Sequence, residues 1–403
     1  MKKNFKTLFG IYLISLFFFS LVFLIEKHNG GSDSTISEWL INYSGGFTKR
    51  GLIGQFCIFF AKNFNQNLRD VILIFQICLI GVYYILIFDF AKNIKINKII
   101  FLSIFTPIFL LYPVAEIEVL ARKEVFIFCI FLIYLFFDNF IKKCIYKIVV
   151  LPIAVLIWEP VIFYFLFFVV LDVIEENFIK IEKKFLLSLL TYIPALSIAA
   201  YIVFNPISNI NHQIMANHLQ VNFNEACYMS CALLKSKSSL YAQFHGNFDK
   251  YSLTIFFRYF LIILIGFGPL FILLKNSSLT KSNLFFFKYF KNLFLPVIIV
   301  LFPVIFLFAM GYDWGRWVNI SYVFSIIFYL YLYQNKKILL NKDFLETKIF
   351  KYLNSKKIFA TLVLIFCFGW NPKTTITGDV ASKPGYQIPK KTIEIIYKNL
   401  SKK

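Results

Sequence analysis

The chain has 403 residues, of which 59% are apolar, 20% aromatic and only 16% charged, and it carries 53 Phe and a net charge of +21. A soluble domain carries about a quarter charged residues, so the composition excludes an ordinary water-soluble fold and calls for a bilayer to solvate the apolar surface. The positive charge sits in short Lys clusters between apolar runs, not on a basic helix or soluble domain, which argues against a nucleic-acid partner.

The first apolar run, 7–25, follows the basic sequence MKKNFK. It is too long for a signal-peptide core and lacks a small-residue cleavage site, so it reads as a retained span. Further apolar segments cover 71–90, 99–113, 125–141, 148–171, 185–204, 254–274, 293–311, 318–333 and 358–370. They are continuous runs without alternation, which predicts helices. Lys clusters at 2–6, 92–98, 142–147, 180–184, 275–291 and 336–357 separate them and read as cytoplasmic retention signals that also touch anionic lipid. The expectation is an all-α polytopic bundle of about 10–11 spans. It lies in a bacterial inner (cytoplasmic) membrane with the N-terminus cytoplasmic. Residues 1–370 form one transmembrane domain with outer loops 26–70, 114–124, 205–253 and 312–317, the third being the largest; 371–403 is a basic outer tail. The first loop also contains an apolar surface segment, Leu52 to Phe64.

Segment 148–171 is the exception. It has Lys on both sides but the length of one ordinary span, and its middle reads Trp158-Glu159-Pro160. Pro beside a charge breaks a helix. Two half-spans returning to the cytoplasm, with Glu159 at the turn in the outer leaflet, keep the later Lys clusters inside; one kinked span would invert everything downstream. An intramembrane carboxylate is a functional candidate in either case. Cys227 and Cys231 lie together in the large outer loop, where a short disulfide is expected. The spacing lacks a matching His pair, so no metal site is indicated, and although a divalent cation is possible no cofactor is called for. The sequence sets no oligomeric state.

Of the 42 basic residues only five are Arg: Arg50, Arg69, Arg122, Arg258 and Arg316. All five fall on the expected outer side, and the cytoplasmic clusters use Lys alone. A guanidinium grips phosphate or carboxylate through two parallel bonds, whereas Lys is a point charge. Either this face binds an anion of defined geometry, or the arginines pair with acids at helix ends. Three sit in compact motifs. Tyr43-Ser44-Gly45-Gly46-Phe47-Thr48-Lys49-Arg50 offers a glycine turn whose amides can face an anion, with Lys49 and Arg50 adding charge. Glu116, Glu118, Arg122, Lys123 and Glu124 put five charges between two short spans. Gly311-Tyr312-Asp313-Trp314-Gly315-Arg316-Trp317 interrupts two spans with no true linker.

Together, the Tyr43–Leu52 stretch, Arg122-Lys123-Glu124, the Glu159 hairpin and Asp313-to-Trp317 resemble elements of bacterial surface-polysaccharide membrane proteins. These are the O-antigen polymerases and other GT-C-type, lipid-sugar-dependent glycosyltransferases. The resemblance implies an outer-face glycosyltransferase or polymerase acting on a polyprenyl-pyrophosphate-linked glycan within membrane lipid. In such enzymes an acid of the first outer loop often acts as base, here Asp33 or Glu38; Asp313 and Glu159 are further catalytic candidates. Tyr43, Lys49, Arg50, Arg122, Lys123, Glu124 and Arg316 are the candidate substrate-binding residues. A transporter or flippase of an anionic amphiphile, lined from both sides by broken helices, and a non-catalytic scaffold are the alternatives.

Overall fold

A computed structural model describes residues 2–30, 34–236, 240–341, 355–378 and 383–401. Helices dominate it: α1 (Lys2–Gly30), α2 (Gly51–Asn63), α3 (Leu68–Ala91), α4 (Lys98–Phe105), α5 (Glu124–Tyr134), α6 (Phe140–Ile157), α7 (Phe165–Glu175), α8 (Lys183–Leu190), α9 (Ile193–Phe204), α10 (Asn209–Phe223), α11 (Leu253–Gly266), α12 (Gly268–Lys275), α13 (Phe294–Leu301), α14 (Trp314–Gln334), α15 (Lys356–Phe368) and α16 (Pro384–Leu400). Two three-residue strands, β1 (Ser277–Leu279) and β2 (Ile338–Leu340), pair antiparallel with Ser277 opposite Leu340.

Among the described residues three stretches are long and apolar enough to cross a bilayer: Phe5–Asn29, Leu68–Ala91 and the continuous pair Lys183–Phe204. The α11–α12 pair is a fourth if its 60° bend belongs to one span. Helices of this length and apolarity point to a membrane protein. Their outward faces are greasy, as Leu8, Ile11, Ile14 and Phe18 of α1 show, because lipid takes the place of a protein neighbour. α1 and α3 run antiparallel: Gly10 faces Phe88, Gly81 faces Phe17, and His28 reaches Asp70.

α14 is the central post. Every residue from Trp314 to Leu332 is buried, including Arg316 and Asn319, whose polar groups have partners. It also repairs broken backbone beside it. The expected span 99–113 is a short helix, α4, followed by irregular chain. Asn319 Nδ2 donates to the carbonyls of Ile108 (2.9 Å) and Phe109 (3.1 Å), and Tyr322 donates to that of Ser103 (2.7 Å). Irregular backbone survives at membrane depth only where such partners satisfy it.

The chain reverses at Trp158-Glu159-Pro160. α6 leads in, a 3₁₀ turn Glu159–Tyr164 follows, and α7 leads back. The open ends of the two arms are fastened by buried ion pairs. Lys147 Nζ lies 2.5 Å from Asp172 and 2.7 Å from Ser188 Oγ, Tyr134 donates to Asp172, and Lys143 pairs with Glu175. The α6 arm is longer than a half-span, its 18 residues rising about 27 Å, while the 11 residues of α7 rise about 17 Å. Lys143 and Lys147, expected on the solvated cytoplasmic side, are instead inside α6, and the Lys147 side chain is 0% exposed.

Removing one partner of this pair strands the other charge, at roughly 3–5 kcal/mol. Asp172→Ala is therefore expected to lower the unfolding free energy in detergent by that much. The double change Lys147→Met with Asp172→Leu should recover most of it. An Asp172→Ala protein as stable as the parent would contradict the clamp.

Candidate functional site

The site grows from one carboxylate. Beyond α1 the chain is clipped to the loop ahead of α5: Ser34 and Thr35 hydroxyls donate to the carbonyls of Glu118 and Ile117, and the Trp39 indole donates to that of Ala121 (3.0 Å). These contacts drive Glu38 inward until its side chain is 0% exposed. An ion there needs partners of opposite charge. Glu38 Oε2 accepts from Arg122 Nε (2.8 Å), Oε1 accepts from Arg50 Nη1 (3.2 Å), and Arg316 Nη2 stands 3.6 Å from Oε1. Burial pushes the Glu38 pKa up, but Arg122, Arg316, Arg50 and Lys123 outweigh it and hold the carboxyl well below the usual carboxylate range.

Two of these arginines each meet a further acid in a paired grip. Arg50 Nε and Nη2 each reach Glu159 at 2.8 Å, and Arg316 Nε and Nη2 reach Glu124 at 2.8 and 2.6 Å. Arg316 lies 5.1 Å from the Trp317 ring and 6.0 Å from that of Trp158. Lys123 Nζ donates to the Arg50 carbonyl at 2.5 Å; burial lowers its pKa to about 8. Asp313 stands at the rim, its Oδ2 3.5 Å from Arg316 Nη1 and 3.9 Å from Arg122 Nη1. Access increases outward, from the sealed Glu38, through Arg50 and Glu159 at 19%, to Asp313 at 30%.

Backbone geometry bears the mark of this convergence. Arg50 (φ 62°) and Ala121 (φ 55°) both hold the left-handed region, an uncommon and strained state for residues with a Cβ that is concentrated at functional sites. Gly315 is required for a different reason: a Cβ would meet the Lys373 carbonyl oxygen at 2.0 Å. Gly45, expected to help cradle an anion, instead lies against the Asn211 carbonyl, which a Cβ would meet at 1.9 Å. The glycine turn thus seats α10 of the large loop.

Of the residues singled out from sequence, Glu38, Arg50, Arg122, Lys123, Glu124, Glu159, Asp313 and Arg316 come together. Lys49 adds its charge beside Glu159. Tyr43 is a support: its ring underlies Gly51 and stacks on Phe47. Asp33 lies outside the described residues. Arg69 grips Glu225 (2.5 and 3.0 Å) and Arg258 donates to the Gly378 carbonyl (2.9 Å), so both have structural partners at this same end of the bundle. Cys227 and Cys231 form a disulfide. With His212 they are the one cluster of metal-type side chains among the described residues, but both sulfurs are bonded to each other, leaving a single imidazole as donor.

Sequence reasoning missed the strap behind the site. Glu116 accepts from Asn371 Nδ2 and Lys373 Nζ, both at 3.0 Å, and from the Thr374 amide at 3.2 Å; Gly315 N donates to the Thr374 carbonyl, and Ile376 N to that of Tyr312. Asn371, Thr374 and Ile376 are buried. The tail beginning at residue 371 therefore does not leave the bundle at once. Nothing in its sequence, Asn-Pro-Lys-Thr-Thr, announces that contact. Compared with known protein families, with characterised proteins and with solved structures, the chain shows no match, so its functional reading rests on the chemistry of this site.

A carboxyl with a depressed folded pKa contributes stability above its ordinary value, 4.5, and loses it as pH falls toward the depressed one. Unfolding midpoints measured from about pH 6 down to pH 3 should fall for the parent and change less for Glu38→Gln. Parallel curves would show that Glu38 is not held ionised by its arginines. Independently, Gly315→Ala should separate the strap from α14 and lower the midpoint, since the carbonyl it would strike is backbone.

Proposed function

We propose that the chain is a membrane glycosyltransferase or polymerase that works at the outer face of a bacterial inner membrane on a polyprenyl-pyrophosphate-linked glycan. It is read as a bundle of about 10–11 spans with a cytoplasmic N-terminus, the lysine-rich end inside and the arginine end outside. The observation that carries the reading is Asp313, the most open carboxylate of the cluster, between the guanidinium edges of Arg122 and Arg316.

In this reading the acceptor sugar hydroxyl attacks the anomeric carbon of the donor. A new carbon–oxygen bond forms, the bond from that carbon to the pyrophosphate oxygen breaks, and the hydroxyl proton passes to Asp313. The departing polyprenyl pyrophosphate keeps the electron pair, and the Nη edges of Arg122 and Arg316 stabilise its growing charge. Glu38, Glu124 and Glu159 are positioning residues. Each fixes a guanidinium before substrate arrives, so little reorganisation accompanies the transition state. The prenyl chain lies among lipid and apolar helices.

A second reading has its own support. The breaks in 98–111, in the bent pair α11–α12 and between α13 and Ile305–Met310 are the kind that line transport paths. One experiment separates the two. Proteoliposomes containing the full chain would receive polyprenyl-pyrophosphate-linked oligosaccharide, and both glycan extension and transbilayer movement would be followed. The parent should extend the glycan. Asp313→Asn should lose about 10²–10⁴-fold of the rate while retaining donor binding, and Arg122→Lys should lose rate through a weaker grip on the leaving group. Movement without extension supports transport, and an Asp313→Asn protein with full extension activity removes Asp313 as the base.

A further inference from the structure

The C-terminal helix α16 has no part in the cluster chemistry, yet its pattern is sharply divided. Its residues Ile388, Thr392 and Ile395 are buried. They face α1, where Lys391 lies over the Phe23 ring (5.9 Å) and Lys398 pairs with Glu26 (3.1 Å). A second apolar stripe is left uncovered among the described residues: Tyr386, Ile393, Tyr397 and Leu400 are all more than 60% exposed, Tyr397 at 74%. At about 100° per residue these four fall within roughly 60° of one another. Pro389 and Ile396 continue the apolar arc from that stripe round to the docked face. The polar arc holds Lys390, Glu394, Lys391 and Lys398, with Lys383 at the helix start. Lys390 borders the exposed stripe, 5.9 Å from the Tyr386 ring.

Position along the bundle decides what meets this face. α16 crosses α1 at Phe23 and Glu26, in its final two turns, while the preceding turns of α1 expose Ile14 and Phe18 as a lipid-facing helix does. The crossing therefore lies where the apolar girdle ends, at headgroup depth. A helix there with a broad apolar arc, two exposed tyrosines and a lysine edge has the composition of an interfacial helix. The lysine edge is complementary to phosphate, and the sequence continues as Ser401-Lys402-Lys403.

We propose that α16 is a membrane-surface helix that inserts Tyr386, Ile393 and Tyr397 among the acyl chains and uses Lys390 and its neighbours to bind anionic phospholipid headgroups, on the membrane face that carries the charge cluster. The strap 371–378 ties this helix to the Asp313–Arg316 motif, so lipid at α16 holds the back of the site in place. The assignment stands whether the site transfers sugars or transports.

The test uses the full chain with Cys78→Ser, which removes the exposed native thiol, and Ile393→Cys carrying an environment-sensitive fluorophore. Nanodiscs of phosphatidylcholine alone are compared with nanodiscs containing phosphatidylglycerol. The probe should be quenched by nitroxide-labelled lipid and shielded from aqueous iodide, more so with phosphatidylglycerol. Lys390→Gln should reduce that anionic preference by up to about fivefold. A probe at Tyr397→Cys should behave alike, and labelled Lys383→Cys on the polar arc should stay open to iodide. Overturning results are iodide access at 393 equal in both lipids, lipid contact indifferent to phosphatidylglycerol, or a disulfide between Cys side chains at 393 of two copies, which would make the stripe a self-association face.

Discussion

The structure depends on a negative charge placed where water does not reach it. Burying the Glu38 carboxylate costs several kcal/mol unless cations surround it, and the chain supplies those cations from three separate connections, the glycine turn, the loop before α5 and the start of α14. Each of those arginines then requires its own acid. Arg50 has Glu159 and Arg316 has Glu124. A single buried ion thus commits the first loop, the α5 loop, the α6–α7 hairpin tip and the head of α14 to one another. Arg50, Arg122, Lys123 and Arg316 face Glu38, Glu124, Glu159 and Asp313, Lys49 adds a further positive charge beside Glu159, and at the open rim Asp313 has two guanidinium neighbours.

This mutual pairing bears on how the proposed site would work. A cluster of unpaired arginines in a low-dielectric setting would be unstable by itself and would hold a pyrophosphate product too tightly. Arg122 and Arg316, held through Nε by Glu38 and Glu124, are fixed with their Nη1 atoms toward Asp313 at the rim, and in the proposed transfer these two edges meet the leaving group without moving. This is preorganisation, which favours a transition state over a ground state. The same ordering explains why Arg is confined to this end. At the other end of the bundle, where Lys143 and Lys147 fasten the hairpin, a point charge on a flexible stem is sufficient.

Much of this was legible in the sequence for physical reasons. Charge in an apolar chain is expensive, so compact charged motifs between spans mark places where partners must exist, and the motifs at 43–52, 116–124, 158–160 and 311–317 do meet. The reversal at Trp158-Glu159-Pro160 was legible because Pro cannot continue a helix and the flanking lysines constrain both ends. The partners themselves were not legible. That Glu38 would be the hub, sealed against solvent, follows from loops clipping together 84 residues apart, and no local pattern encodes that distance. The role of Gly45 was misread because glycine serves turn, anion cradle and close backbone approach alike, and only the position of Asn211 tells them apart. The breaks after α4, between α11 and α12 and after α13 escaped notice because the apolar runs look continuous in sequence; the partners of the freed carbonyls lie far along the chain, as Asn319 does for Ile108 and Phe109 and Thr106 for Gly266. The strap at 371–378 escaped because most of its bonds run through its own amides and carbonyls, which carry no residue signature.

The most direct test of the account is where a pyrophosphate lipid touches the protein. A polyprenyl pyrophosphate bearing a photoreactive group close to its phosphates, added to membranes and irradiated, should attach to the segments 116–124 and 312–317, and the attachment should be displaced by excess unlabelled lipid. Attachment concentrated at the opposite end, around Lys143, Lys147 and Ser188, would contradict it, because the arginine cluster would then be a fastening of the bundle and the substrate would be held elsewhere.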